Sequence, residues 1–133
     1  MVWKNLPLAM HKDAPLAHAA AMAAHEQGKF WEFHDKLFAD PKKLKGPDLT
    51  RYAEELGLDM KRFQDAIAKE KFKPAVDADA AEAAAMGVTG TPAFFVNGKY
   101  LSGAKPVEEF AKVINAELQR MNLPIPAAAP KGG

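Results

Sequence analysis

The sequence predicts an α/β domain that is mostly helical by content, and three observations carry that prediction. Between residues 14 and 87, alanine-rich and amphipathic stretches follow one another, punctuated by glycines where helices would end. After Val88 the pattern changes to a short apolar run, an Asn97-Gly98 pair and a second short run, which reads as a β-hairpin. At the start, Val2-Trp3-Lys4-Asn5-Leu6 is β-favouring and is ended by Pro7, which reads as a strand.

Each element has a local reason. Asp13-Ala14-Pro15 is a helix start, because proline is tolerated in a first turn whose N–H groups have no partner. From Leu16 to Gln27 the residues are almost all strong helix formers, and Gly28 stands where a C-terminal cap belongs. Phe30, Phe33, Leu37 and Phe38 recur at helical spacing, with Glu32, Asp35 and Lys36 opposite, so a second helix runs to about Ala39 and stops before Pro41. A third covers Asp48 to Glu55, with Leu49, Tyr52, Ala53 and Leu56 inward and Gly57 as its end. Asp59 caps a fourth, where Leu58 can pack on Phe63 and Ile67 extends the same face. Pro74 opens an alanine-rich fifth helix that Gly87 closes. Asn97-Gly98 supplies the two positive φ angles of a type I′ turn between Pro92–Val96 and Lys99–Ser102. A last helix starts near Pro106 and carries Val107, Phe110, Ile114 and Leu118 on one stripe. The expected organisation is one domain over residues 1–120 and a flexible Pro/Ala/Gly tail over 121–133.

Composition removes whole classes of function. The 133 residues are 48% hydrophobic and 26% charged with a net charge of +1, which leaves no electrostatic footprint for nucleic acid or an anionic membrane. No apolar run approaches the roughly 20 residues of a membrane span, and the residues after Met1 do not read as a secretory signal. With 0 cysteines the chain has no disulfide, no thiolate nucleophile and no cysteine-ligated metal. There is no phosphate-binding loop, dinucleotide fingerprint or Gly-X-Ser-X-Gly motif, so no cofactor is expected. His11, His18, His25 and His34 lack the spacing of helix-borne metal ligands, so no metal site is expected. Phe30, Trp31, Phe33, Phe38, Phe63, Phe94, Phe95 and Phe110 read as core, and Lys42-Lys43-Leu44-Lys45 as a solvated turn.

Two stretches resemble a known family. They are Trp3-Lys4-Asn5-Leu6-Pro7-Leu8 with Glu26-Gln27-Gly28-Lys29-Phe30-Trp31-Glu32-Phe33-His34-Asp35, and Gly87-Val88-Thr89-Gly90-Thr91-Pro92-Ala93-Phe94-Phe95-Val96-Asn97-Gly98 with Ser102-Gly103-Ala104. Together, in this order, they resemble the DsbA-like thioredoxin-fold oxidoreductases from Val2 to about Leu118. The resemblance implies a thioredoxin-like core with a large helical insertion, here about residues 29–87. It implies thiol–disulfide chemistry on polypeptide substrates, commonly in the cell envelope. It also implies a cis proline at Pro92, with Gly90, Thr91 and Pro92 forming the substrate-binding loop. The free backbone beside such a turn can pair with an extended peptide.

The departure from the family concerns the dithiol. The Cys-X-X-Cys of the family follows a strand and opens a helix, and both lie upstream of the strand resembling Val2–Leu6. That unit has no counterpart in these 133 residues. The chain is therefore expected to be redox-inactive as written, with no catalytic residue of its own. Three ways of completing the sheet follow: Val2–Leu6 pairs with Phe94–Val96, two copies complete each other, or a separate polypeptide supplies the strand. A non-enzymatic peptide-binding module is the alternative function. Kappa-type glutathione transferases share the architecture, but their chemistry also draws on the missing junction.

Overall fold

The computed structural model describes residues 1–126; the expectation of a flexible tail falls, from residue 127 onward, outside the described residues. The element order is α1 (Ala14–His25), α2 (Phe30–Ala39), α3 (Gly46–Glu55), α4 (Met60–Ala68), α5 (Lys73–Ala85), β1 (Ala93–Val96), β2 (Lys99–Ser102) and α6 (Val107–Arg120). The described residues divide into two compact units, the first over residues 1–89 and the second beginning at Gly90.

The first unit is a helical assembly around α1. Ala17, Ala20, Ala21, Ala23 and Ala24 of that helix are buried, and such small side chains let α2, α3 and α4 approach closely. Larger residues fill the space between those neighbours. Phe33, Phe63 and Leu49 are the largest fully buried side chains, and the Phe33 ring lies 6.0 Å from Phe63 and 6.3 Å from Tyr52. Gly28, with φ +73°, ends α1 in the left-handed region that only glycine enters without strain. Leu58 and Phe63 are buried in one cluster, as the hydrophobic-staple reading requires.

The entry to α4 is fixed twice. Asp59 accepts a hydrogen bond from the Arg62 N–H at 3.0 Å, and the Asp59 N–H donates to the Gln27 side chain at 2.7 Å. Asp59→Ala removes the cap acceptor and is expected to lower stability by about 0.5–2 kcal/mol in urea unfolding. An unchanged midpoint would show that the Gln27 contact alone holds this turn.

The second unit consists of the β1–β2 hairpin and α6. The strands are antiparallel, pairing Phe94 with Leu101 and Phe95 with Tyr100, and the turn residues Asn97 and Gly98 have φ +48° and +81°. Phe94 packs edge-on against Phe110 of α6 at 4.7 Å. Val107 and Ile114 remain exposed, and the one residue that α6 buries is Glu117.

Two expectations are corrected. Val2–Leu6 is not a strand, and it does not pair with Phe94–Val96: among the described residues the sheet contains β1 and β2 alone. A strand exists only through its ladder partner, so β propensity without a neighbouring edge leaves an irregular segment. Nor are all the aromatic residues core. Phe30, Phe33 and Phe63 are buried, but Trp31, Phe38, Phe94 and Phe95 are exposed. The helix α2 buries the stripe through Phe30 and Phe33 and turns Trp31 and Phe38 outward, and a two-stranded hairpin has too few neighbours to cover both faces.

Candidate functional site

The sequence-predicted loop lies at the start of β1. The Thr91–Pro92 peptide is cis, both residues are exposed, and Gly90 is half-buried. The Pro92 carbonyl accepts a hydrogen bond from the Gly103 N–H at 2.9 Å, which continues the hairpin register by one more pair. That register decides what the other edge offers. In a two-residue hairpin the pair beside the turn, Val96 and Lys99, exchanges both hydrogen bonds, and every second pair does the same. Phe94 therefore points its N–H and C=O at Leu101, and Pro92 its C=O at Gly103. Thr91, Ala93 and Phe95 direct theirs to the opposite edge, which no strand covers among the described residues. Beside this edge Phe94, Phe95 and Tyr100 are exposed, and the Phe95 ring packs tilted against Tyr100 at 5.0 Å. The edge can accept an extended chain through its backbone and offer aromatic surface to the side chains of that chain.

An ion cluster holds the hairpin to α6. Glu117 is 3% exposed. Lys99 Nζ lies 2.8 Å from its Oε1, an ion pair without the alignment of a good hydrogen bond. Arg120 donates to Oε2 at 2.8 and 3.0 Å, and Asn97 at 3.4 Å. The Lys99 ammonium and then the Arg120 guanidinium hold the Glu117 carboxyl at about 2, well below its ordinary 4.5.

The first unit carries a polar network that the sequence did not announce. Asn5, 2% exposed, donates its backbone N–H and its Nδ2 to Asp79 Oδ2 at 2.9 and 2.8 Å. A carboxylate only accepts, so this fixes the amide orientation and turns Asn5 Oδ1 toward His18 Nδ1, 2.9 Å away. His18 must then carry its proton on Nδ1, and burial pushes its pKa down, against the pull of Asp79. Partial burial opposes ionisation of Asp79, but the hydrogen bonds from Asn5 and Lys4 outweigh it and keep its carboxyl below the usual range. The spacing of His18 and Met22, both contacts of Asn5 one helical turn apart, was the available signal.

The remaining histidines go elsewhere. His34 stacks on Phe38 at 4.4 Å and bonds to Asp35, and His25 packs edge-on against Phe30. Trp3, Trp31 and His34 form a cluster of edge-packed rings whose tryptophans are 38% and 44% exposed. Among the described residues, no group of three metal-ligating side chains comes together and no helix is long and apolar enough to cross a membrane.

Against known proteins, residues 2–115 match the DSBA-like thioredoxin domain. The chain belongs to that family. A crystal structure of a thioredoxin-like oxidoreductase from Silicibacter pomeroyi superimposes with a TM-score of 0.79 at 25% identity, covering 89% of this chain and 68% of that one. This DsbA-like chain thus has a thioredoxin-like fold, with six helices and a two-stranded sheet among its described residues. It is 39% identical over 133 residues to Na(+)/H(+) antiporter NhaA 3 of Salinispora tropica, covering 99% of this chain and 20% of that protein. It is 40% identical over 116 residues to Na(+)/H(+) antiporter NhaA 1 of Salinispora arenicola, covering 86% of this chain and 18% of that protein. The DsbA-like chain spans about a fifth of the length of these curated relatives.

Proposed function

We propose that this DsbA-like domain binds extended polypeptide along the open edge of β1 and performs no thiol–disulfide exchange through its own residues. One observation carries the binding half: Thr91, Ala93 and Phe95 direct N–H and C=O groups to one edge, beginning at the Gly90–Pro92 turn, that no strand covers among the described residues. Backbone pairing would supply affinity, and Phe94, Phe95 and Tyr100 the apolar contacts. The redox half rests on composition, since a chain with 0 cysteines has no thiolate to attack a disulfide. In relatives named Na(+)/H(+) antiporters a matching segment makes up about a fifth of the polypeptide, which supports an accessory role beside a larger chain.

The test uses a fluorescently labelled, reduced and carboxymethylated lysozyme as a permanently unfolded probe. Saturable binding is expected by anisotropy. Phe95→Pro removes one outward N–H while sparing the β1–β2 ladder, and is expected to weaken binding roughly tenfold. Equal binding by both proteins, or none by the wild type, would sink the reading. In an insulin-reduction assay the 133-residue chain should stay at the buffer rate.

A second copy of the chain is the rival occupant of the same edge. The reason is that β1, Ala93-Phe94-Phe95-Val96, has no charge or proline to discourage self-pairing. Sedimentation equilibrium distinguishes the two: a monomer of 14.4 kDa at tens of micromolar leaves the edge to polypeptide, and a dimer lost in Phe95→Pro assigns it to self-association.

A further inference from the structure

The helix α5 is attached to the first unit in an unusual way. It has 13 residues and buries only Val76, while Ala75, Ala78, Ala81, Ala84 and Ala85 face solvent. An amphipathic helix of this length ordinarily docks through a stripe of large apolar side chains, whereas the inner face of α5 is Val76 followed only by the half-buried alanines Ala80 and Ala83. What fastens its middle is Asp79. Its Oδ2 takes both hydrogen bonds from Asn5, and its Oδ1 takes Lys4 Nζ at 3.1 Å. Asn5 in turn is bolted to α1 through His18. The neighbouring Lys4–Glu82 pair, at 2.9 Å, is half-exposed on both sides and holds little.

We infer that α5 is a detachable strap, held against the first unit by the Asp79–Asn5 latch, which opens locally without unfolding α1–α4. The asymmetry of burial makes this the low-cost opening. Releasing α5 exposes Val76 and the half-buried alanines Ala80 and Ala83 and lets water satisfy Asp79 and Asn5, whereas opening any of α1–α4 exposes the much larger cluster around Phe33.

Hydrogen exchange read by mass spectrometry on the whole chain tests this without reference to ligand. In the wild type, amides of residues 77–86 should exchange faster than those of 49–53 and 63–67, and with a weaker dependence on added urea. Asp79→Ala should accelerate exchange at 77–86 by roughly tenfold, leaving 49–53 and 63–67 within about twofold. Asp79→Asn keeps one acceptor oxygen and should fall between, and Glu82→Gln should match the wild type. Two results would overturn the strap. One is wild-type protection at 77–86 equal to that of α1–α4 with the same urea dependence. The other is loss of protection throughout the first unit in Asp79→Ala.

Discussion

Phe33→Ala is expected to lower the stability of the first unit by about 3–5 kcal/mol, a large fraction of the roughly 5–15 kcal/mol that holds a domain folded. Phe33 is fully buried, at 0% exposure, between Phe63 of α4 and Tyr52 of α3. Its ring, carried by α2, packs against both α3 and α4. Removing it deletes the transfer energy of the side chain and opens a void between Phe63 and Tyr52 that a close-packed core fills only in part. Equilibrium urea unfolding followed by circular dichroism at 222 nm measures the loss. Phe38→Ala, five residues further along α2 but 65% exposed, is the control and should cost less than about 0.5 kcal/mol. Similar losses for the two variants would contradict the burial pattern of α2.

The second large effect is expected at Glu117. It is the one residue that α6 buries, and it ties that helix to Lys99 in β2 and to Asn97 in the turn. Glu117→Ala should therefore collapse the amide dispersion of residues 93–120 in a heteronuclear NMR spectrum. The pH dependence has a defined sign. The folded carboxyl titrates at about 2, below its ordinary 4.5, so the ionised form favours the folded unit. Its contribution is complete above the ordinary value and is lost as pH falls through about 2. The hairpin signals of the wild type should thus fade on acidification through that window, and Glu117→Gln should remove this pH dependence. A dispersed spectrum for residues 93–120 in Glu117→Ala would assign the packing of α6 to Phe110 and Leu118 instead.

The helices were legible because their causes are local. Pro15, Gly28, Gly57, Asp59 and Gly87 mark starts and ends that depend on backbone conformation and on neighbours within a few residues, and the structure places helix boundaries beside each. Asn97-Gly98 was legible for the same reason. The assignment to the DsbA-like family was also readable in the two motif-bearing stretches, and the match over residues 2–115 establishes it. The latch at Asp79 and the Glu117 cluster were not readable. They join residues separated in sequence by 74 and by up to 20 positions, and each member taken alone is an ordinary surface residue type.

Sequence by itself determined the type of almost every element, the turn that closes the hairpin, the family and the absence of a thiol. Each follows from composition or from chemistry within one helical turn or one β-turn. Tertiary structure alone decided that Val2–Leu6 is no strand, that Trp31, Phe38, Phe94 and Phe95 are surface, and that Thr91, Ala93 and Phe95 share an edge that no strand covers among the described residues. Strand pairing and burial are properties of neighbours: a segment with every local reason to be a strand becomes one only where another edge receives its hydrogen bonds.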